Sequence, residues 1–280
     1  FFGSATAFIE ATLGQIYKVE KNGEYRGGPA YYIEKGLGKK WYAVTFAIAT
    51  MVACVFFLPG VQSNSIADSM YNAFHIDKIW IGVAVAMALG IIVIGGAKRI
   101  GRFSEIVVPF MAGAYILMAI VIVVLNIKEV PDVLGLIIRS AFGTDATFGG
   151  IVGSAIAMGV KRGIYSNEAG QGTAPHAAAA AATSHPVKQG LVQAFSVYID
   201  TLFVCTATAF IILFSGQYNV KNIDGSFLVE NLPGIEEGAQ FTQAAVSAHF
   251  PALGDIFIAI ALLFFAFTTA MAYYFIAESN

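Results

Sequence analysis

Long apolar runs separated by short polar stretches set the pattern of this chain. Seven runs are long enough to cross, or nearly cross, a hydrocarbon core about 30 Å thick as helices that rise about 1.5 Å per residue. They cover residues 1–17, 41–61, 79–97, 103–126, 148–182, 190–214 and 252–277. This pattern predicts an all-α integral membrane fold, with residues 1–280 in a single transmembrane domain.

The polar stretches between the runs predict two short surface helices. In residues 18–40, the turn sequence Gly27-Gly28-Pro29 precedes a segment whose aromatic side chains suit the membrane interface. In residues 216–251, an amphipathic helix is expected around 240–249. Because the chain starts within one apolar run and stops just beyond another, we interpret it as a fragment of a longer protein.

Composition supports the membrane assignment. Apolar residues make up 57% of the chain and charged residues only 12%, whereas soluble domains carry about 25% charged residues. So few polar groups cannot cover a water-soluble globule, and a net charge of −2 offers no basic surface for nucleic acid. Cys54 and Cys205 lie far apart in apolar runs, without metal or disulfide spacing, and are interpreted as core residues.

The basic residues predict the orientation of the chain in the membrane. Ten of the sixteen Lys and Arg residues fall on the side that carries residues 18–40, and four fall on the opposite side. Cytoplasmic loops of membrane proteins carry the excess of Lys and Arg. We therefore expect residues 18–40 in the cytoplasm and residues 216–251 outside.

Residues 148–182 are too long and too polar for one continuous membrane helix. A single helix over this range would be about 52 Å long, well beyond the hydrocarbon thickness, and its middle is rich in Gly and polar residues. Two half-helices that meet at an unwound centre near 160–172 explain the pattern, and secondary transporters build their sites in this way. A re-entrant or surface loop is the alternative.

Four segments carry a resemblance to a known family. They are RGIYSNEAGQGTAPHAAAAAA at 162–182, GGPAYYIEKGLG at 27–38, FLPGVQSNSIA at 57–67 and FAFTTAMAYYFIAES at 265–279. Over essentially its whole length the chain resembles the alanine or glycine:cation symporter family. The resemblance implies the five-plus-five inverted-repeat fold of the amino acid–polyamine–cation superfamily. The seven spans would be core helices two to eight, without the first core helix or the C-terminal helices.

Candidate substrate-binding residues lie in the predicted break and just beyond Pro59-Gly60, where a kink is expected. A zwitterionic amino acid needs donors for its carboxylate and acceptors for its ammonium group. Asn and Gln offer both, and Gly permits close backbone approach. The candidates are Ser166, Asn167, Gly170, Gln171, Gly172, Gln62 and Asn64. Alternatively, the glycines are helix-packing contacts and the amides form interhelical hydrogen bonds.

The candidates for cation binding are Thr268, Thr269 and Asp200. A hard cation such as Na⁺ prefers oxygen ligands, and the resemblance implies a sodium site at Thr268 and Thr269 that the missing first helix completes. Threonine in a membrane helix also bonds to a carbonyl of the preceding turn, so a structural role stays open. Asp200 lies ten residues into a predicted span, where an ionisable residue indicates cation binding or gating unless it forms a structural pair.

Three further side chains are less specific candidates. Phe56 is a candidate gate beside an apolar pocket, although aromatic residues that face lipid are common. We expect Glu168 to pair with Lys161 or Arg162, because an unpaired charge at membrane depth is costly. Glu10 is an ionisable residue in the first predicted span without an assigned partner.

The resemblance implies a secondary active symporter of the cell membrane that imports a small neutral amino acid, alanine or glycine, coupled to Na⁺. Its partners would be the amino acid, Na⁺ and the lipid bilayer, with no other cofactor. The alternatives are a same-fold transporter of a nucleobase or larger amino acid and, with less support, a channel. A membrane-embedded enzyme is disfavoured because the sequence contains no HExxH or GxSxG motif and no candidate catalytic residue.

Overall fold

The computed structural model shows a chain built almost entirely of helices, with two short β-hairpins between them. It describes residues 2–21, 23–142, 159–163, 165–221, 226–235 and 238–280. Helix α1 (Phe2–Ile16) is followed by an antiparallel hairpin of β1 (Val19–Lys21) and β2 (Glu24–Arg26) and then by α2 (Pro29–Leu37). Helix α2 is the predicted surface helix, and its first residue is a proline, whose fixed φ suits that position.

The remaining elements follow in chain order. The first group is α3 (Lys40–Val52), a π-helical segment (Ala53–Phe57), α4 (Leu58–Phe74), α5 (Lys78–Val93), α6 (Gly96–Leu125), a 3₁₀ turn (Ile127–Glu129) and α7 (Val130–Phe142). The second group is α8 (Ala174–Ala180), α9 (Pro186–Tyr198), a second π-helical segment (Ile199–Cys205), α10 (Thr206–Ser215), the antiparallel pair β3 (Asn219–Lys221) and β4 (Phe227–Glu230), α11 (Ala239–His249) and α12 (Gly254–Ser279). Helix α11 matches the short helix predicted around 240–249.

Four helical stretches are long and apolar enough to cross a membrane: Lys40–Phe74, Lys98–Leu125, Pro186–Ser215 and Gly254–Ser279. They correspond to the predicted spans at 41–61, 103–126, 190–214 and 252–277. The spans predicted at 1–17 and 79–97 form shorter helices, α1 and α5, and much of 148–182 lies outside the described residues. Large apolar side chains such as Trp80, Ile94 and Phe110 are exposed, which is unusual for a water-soluble protein. The chain is a multi-pass membrane protein.

A π-helical segment lies directly before Pro59-Gly60, where the sequence predicts a kink. The backbone stays helical from α3 through Ala53–Phe57 into α4. A proline ring crowds the carbonyl four residues before it, and the wider π turn just ahead of Pro59 relieves this crowding. The helix therefore continues past the proline.

The chain forms two compact units. Unit 1 consists of Phe1–Val61, Lys161–Phe203 and Thr269–Asn280, and unit 2 of Gln62–Val160 and Val204–Thr268. In unit 1, α1 packs against α8 and α9, and Cys54 is buried with Tyr273 and Ile276, as expected for a core residue. In unit 2, one apolar cluster joins α6, α7, α10, α11 and α12.

Candidate functional site

One face of α1 consists of small residues at intervals of three or four positions, which places them on one side of the helix. They are Gly3, Ala7, Ala11 and Gly14. An added Cβ at Gly14 would lie 2.8 Å from the Pro175 carbonyl oxygen, and Ala7 packs with Ala169 and Val197. The backbone of residues 169–175 therefore approaches α1 more closely than larger side chains would allow.

The helix predicted to be broken is interrupted at residues 168–173. Residues 165–167 are helical, residues 168–173 are not, and α8 begins at Ala174. Glu168, Gly170 and Gly172 have φ values of 55°, 88° and 79°, so every second residue is left-handed. Glycine adopts this conformation without steric cost, whereas Glu168 is strained there. The predicted interruption is confirmed, and it occupies the C-terminal part of the expected 160–172 region.

Gly172 has no room for a side chain. A Cβ at this position would lie 2.8 Å from Cζ of Phe46 and 3.1 Å from Cγ of Pro29. The constraint at Gly170 is looser, since the nearest atom to an added Cβ is Cγ2 of Thr6 at 3.4 Å. The nearest atoms at both glycines come from α1, α2 and α3. These are contacts between helices, the alternative that the sequence left open, and a substrate role for the two glycines stays a prediction.

The interruption contacts a carboxylate that comes from α1. The backbone N–H of Gly170 donates a hydrogen bond to Oε2 of Glu10, with an N···O distance of 2.9 Å. No pattern in the sequence connects Glu10 with residue 170. The available signal was that Glu10 is the one charged residue in α1.

A cavity of about 300 Å³ lies between the interruption and α9 with its π-helical continuation. This volume is at the lower end of the range of about 300–1,000 Å³ for ligand pockets. Its polar lining residues are Ser166, Asn167, Glu168, Gln193, Ser196 and Asp200. Two predicted substrate residues and one predicted cation residue thus meet in one polar cavity.

A short hydrogen bond joins the two sides of this cavity. Oγ of Ser166 donates to Oδ2 of Asp200 at 2.7 Å. Asp200 lies in the π-helical segment Ile199–Cys205, and single π turns within α-helices are frequent at functional sites. The sequence predicted both residues but did not predict their contact.

The other polar side chains of the interruption bond locally. Oδ1 of Asn167 accepts from the N–H of Ala169 at 3.1 Å, and Oε2 of Glu168 accepts from Oγ1 of Thr173 at 2.6 Å. Gln171 is exposed, and its N–H donates to the carbonyl of Glu168 at 3.1 Å. These bonds fix the path of the chain between the two helical parts.

The expected ion pair of Glu168 is absent. Within the described residues no salt bridge joins Glu168 to Lys161 or Arg162, so this prediction was wrong. The left-handed backbone at Glu168 directs its carboxylate to Thr173, while Lys161 and Arg162 are exposed on the preceding helical segment.

Three of the predicted residues lie on α4 or in the π-helical segment before it. Asn64 is exposed on α4 and donates to Oδ2 of Asp68, one turn along the same helix, at 2.8 Å. Gln62 is half-buried on α4. Phe56 belongs to the first π-helical segment and is 72% exposed. No contact of these three side chains with the interruption is found among the described residues.

The two threonines are adjacent and half-buried in α12. Oγ1 of Thr268 lies 2.9 Å from the carbonyl oxygens of Phe264 and Phe265. This is the bond to the preceding turn that the sequence analysis left open for Thr268. Thr269 follows it on the next face of the helix.

Gln15 is a second α1 residue whose role the sequence analysis missed. Its buried side chain donates from Nε2 to the carbonyls of Ala178 and Ala181, the latter at 2.8 Å. Nζ of Lys18 donates to the Ala181 carbonyl at 2.9 Å. Together they satisfy carbonyl groups at the C-terminal end of α8, which would otherwise lack partners.

A helix interrupted beside a polar cavity, within a multi-pass helical protein, is the arrangement in which secondary transporters place their sites. The chain belongs to the sodium:alanine symporter family, whose sequence profile matches residues 1–280. This confirms the family resemblance and the assignment as a transporter rather than an enzyme.

Several curated relatives are similar over the full chain. YrbD of Bacillus subtilis strain 168, provisionally named a sodium/proton-dependent alanine carrier, is 62% identical over 280 residues, which are 100% of this chain and 58% of YrbD. A sodium/proton-dependent alanine carrier of Bacillus sp. strain PS3 is 53% identical over 281 residues, covering 100% of this chain and 63% of that protein. GlnT of Bacillus subtilis, provisionally named a sodium/glutamine symporter, is 45% identical over 278 residues, covering 99% and 55%. The chain spans less than two thirds of each of these relatives.

Proposed function

We propose that the full-length transporter containing this chain imports a small neutral amino acid, alanine or glycine, together with Na⁺ by alternating access across the cell membrane. The family membership and the names of the alanine-carrier relatives support this function. The observation that carries it is the Ser166–Asp200 hydrogen bond beside the interrupted helix. It places a hydroxyl oxygen and a carboxylate together in one polar cavity, and both can accept hydrogen bonds from the ammonium group of an amino acid.

The interruption supplies the substrate contacts in this proposal. Asn167 and Gln171 offer donors for the substrate carboxylate, Ser166 and Asp200 face its ammonium group, and Gly170 and Gly172 let the chain come close. Gln62 and Asn64 as substrate contacts and Phe56 as a gate stay predictions from the sequence. Na⁺ binds at the hydroxyl oxygens of Thr268 and Thr269.

The architecture in this proposal is the five-plus-five inverted repeat, with the described helices as core helices two to eight. The interruption at 168–173 would then be the break of the sixth core helix. The first core helix would supply the remaining half of both sites. Since substrate and Na⁺ stabilise the same occluded state, each tightens the binding of the other by the same factor.

Uptake by the purified full-length transporter in proteoliposomes tests the proposal. With an imposed Na⁺ gradient, labelled alanine should enter saturably, and removal of the gradient should abolish net accumulation. A proton gradient in place of Na⁺ is the second arm, because two relatives are named as sodium/proton-dependent. Non-saturable flux without a gradient would indicate a channel and overturn the proposal.

Two substitutions test the residue assignments. Thr269→Ala should raise the Na⁺ concentration needed for half-maximal uptake, and an unchanged Na⁺ dependence would contradict the ligand role. Asp200→Asn should reduce uptake, because it removes a carboxylate from the cavity. Full activity of Asp200→Asn would assign Asp200 to packing alone.

A larger amino acid is the second candidate substrate. The 45% identity with GlnT, whose name refers to glutamine, favours this alternative over a nucleobase. Uptake of labelled alanine is measured in the presence of unlabelled glycine, glutamine or a nucleobase. The compound that lowers this uptake most is the favoured competitor for the substrate site. If glutamine alone competes strongly, a larger amino acid replaces alanine or glycine as the favoured substrate.

A further inference from the structure

We infer that Glu10 is a positioning residue of the transport site, which holds the interrupted helix in place by accepting a hydrogen bond from the Gly170 N–H. The role in transport rests on the proposed function. Glu10 itself does not line the polar cavity, so it acts through the backbone of the interruption.

The backbone amides of the interruption show why Glu10 matters. The N–H of Ala169 is bound by the side chain of Asn167, and the N–H of Gln171 by the carbonyl of Glu168. Both of these acceptors lie within the same segment. Of these three consecutive amides, Gly170 is the one whose acceptor, Glu10, comes from another helix. The Gly170 hydrogen bond therefore ties the local fold of the interruption to α1.

The small-residue face of α1 makes this bond possible. An added Cβ at Gly3 would lie 3.4 Å from Cβ of Ala169, which is an ordinary van der Waals contact. The approach is tighter at Gly14, on the far side of Glu10 along α1, where an added Cβ would lie 2.8 Å from the Pro175 carbonyl oxygen. The backbone of 169–175 thus lies along α1 with Glu10 between the two close contacts, and its half-buried carboxylate reaches residue 170.

Loss of the Glu10–Gly170 hydrogen bond should change the geometry of the polar cavity. Ser166 and Asn167 precede Gly170 by only four and three residues and line the cavity opposite Asp200. Gly170 is exposed, so without Glu10 its N–H is free to bond to water or to another acceptor, and residue 170 is no longer tied to α1. The segment would then shift, and the Ser166–Asp200 distance of 2.7 Å would no longer be fixed.

Three substitutions of Glu10 separate a positioning role from a charge role. Glu10→Gln keeps the side-chain length and one acceptor oxygen but removes the charge. Glu10→Asp keeps the charge but is one methylene shorter, so its oxygens fall short of Gly170. Glu10→Leu removes both the acceptor and the charge. The matched control is Glu20→Gln, which removes a carboxylate that is exposed on β1.

The first measurement is hydrogen exchange of peptides covering 168–173 in the substrate-free, full-length protein in detergent. Glu10→Leu and Glu10→Asp should speed exchange at residue 170 by about tenfold, as expected for loss of one hydrogen bond. Glu10→Gln and Glu20→Gln should stay close to the wild-type rate. Unchanged exchange in the Asp and Leu variants would overturn the inference.

The second measurement is alanine uptake by the same variants. A positioning role predicts a KM about tenfold higher for Glu10→Asp, rescue by Glu10→Gln, and little change in the maximal rate. The opposite ranking, with Asp active and Gln inactive, would show that the charge acts directly and overturn the inference. If Glu10→Leu does not fold, the comparison of Glu10→Asp with Glu10→Gln still distinguishes a positioning role from a charge role. Should the wild type show no Na⁺-coupled uptake, the proposed function fails while the exchange result still tests the hydrogen bond.

Discussion

The two compact units of the chain bury different kinds of side chain. In unit 1, the contacts around α1 involve glycine, alanine and polar groups, including buried Ser4, Gln15, Thr173 and His176. In unit 2, the core consists of large apolar residues such as Ile122, Ile211, Phe214 and Ile258, joined by an edge-to-face pair of Tyr115 and Phe265.

This difference separates two ways of stabilising membrane helices. Helices in lipid gain little from apolar burial and associate through close backbone packing and hydrogen bonds, which is the pattern of unit 1. Unit 2 relies on shape and volume in the manner of a dense protein interior. The Ser166–Asp200 and Glu10–Gly170 hydrogen bonds both lie in unit 1, where hydrogen bonds also hold the helices together.

The largest expected effect comes from Gly172→Ala. Its methyl group must overlap Phe46 and adopt a left-handed backbone, so the free energy of unfolding should fall by about 3 kcal/mol. The matched control is Gly216→Ala in unit 2, where φ is 67° but nothing lies within 4 Å of the added Cβ. That variant should lose only about 1 kcal/mol. Denaturant titration of the full-length protein in detergent measures both, and equal losses would contradict the steric role of Phe46.

For Gln15→Leu we expect the free energy of unfolding to fall by about 2 kcal/mol, because the buried Ala178 carbonyl loses its side-chain donor and the Ala181 carbonyl keeps only Lys18. Gln243→Leu in unit 2 is the matched control, since buried Gln243 also donates to two carbonyls, those of Ser69 and Asp255. Both variants should lose similar stability in a denaturant titration. Only Gln15→Leu should also raise the KM for alanine, because Gln15 holds the C-terminal end of α8, the short helix that continues from the interruption. An equal rise in KM for both would remove the functional distinction between the units.

Ile211→Val should cost about 1 kcal/mol, as expected for one methylene removed from a dense core. Ile211 is fully buried in unit 2. Ile9→Val provides the comparison in unit 1, where Ile9 is 56% exposed on α1, and its effect should stay within about 0.5 kcal/mol. Thermal unfolding of the two purified variants checks the prediction. A larger loss for Ile9→Val would show that α1 is packed against apolar groups at that face.

The smallest effect is expected for the ion pair of Arg26 and Glu278, whose Nη2 and Oε1 atoms lie 3.3 Å apart. Both side chains are partly exposed, so a double-mutant cycle with Arg26→Gln and Glu278→Gln should give a coupling of about 0.5 kcal/mol. High salt should reduce this coupling further. A coupling free energy larger than the loss of unfolding free energy in Gln15→Leu would contradict the expected order of effects within unit 1.

Sequence reasoning was strongest where the physical cause is local. The glycine-rich composition of 162–182 predicted an interrupted helix, because Gly170 and Gly172 adopt left-handed φ values more easily than other residues. Proline at position 29 and the amphipathic pattern at 240–249 likewise indicated α2 and α11. Reasoning failed for Glu168, because its partner depends on a left-handed backbone that an ordinary residue rarely adopts.

The π-helical segments show a second limit. One of them contains Phe56 and the other Asp200, two residues chosen from sequence for other reasons. The apolar pattern of a span does not distinguish an α-helix from one with a wider turn. The position of a π turn depends on how the helix packs against its neighbours.

The order of apolar runs determined that this chain is a multi-pass helical membrane protein, because the length and hydrophobicity of each run act independently of the rest. The glycines and polar residues of 168–173 determined that one helix cannot continue. Only the tertiary structure decided which groups meet there, namely Glu10 with Gly170 and Ser166 with Asp200. Those partners lie 160 and 34 positions apart. They come within hydrogen-bonding distance because α1 and α9 pack against the interruption, and no local pattern specifies that packing.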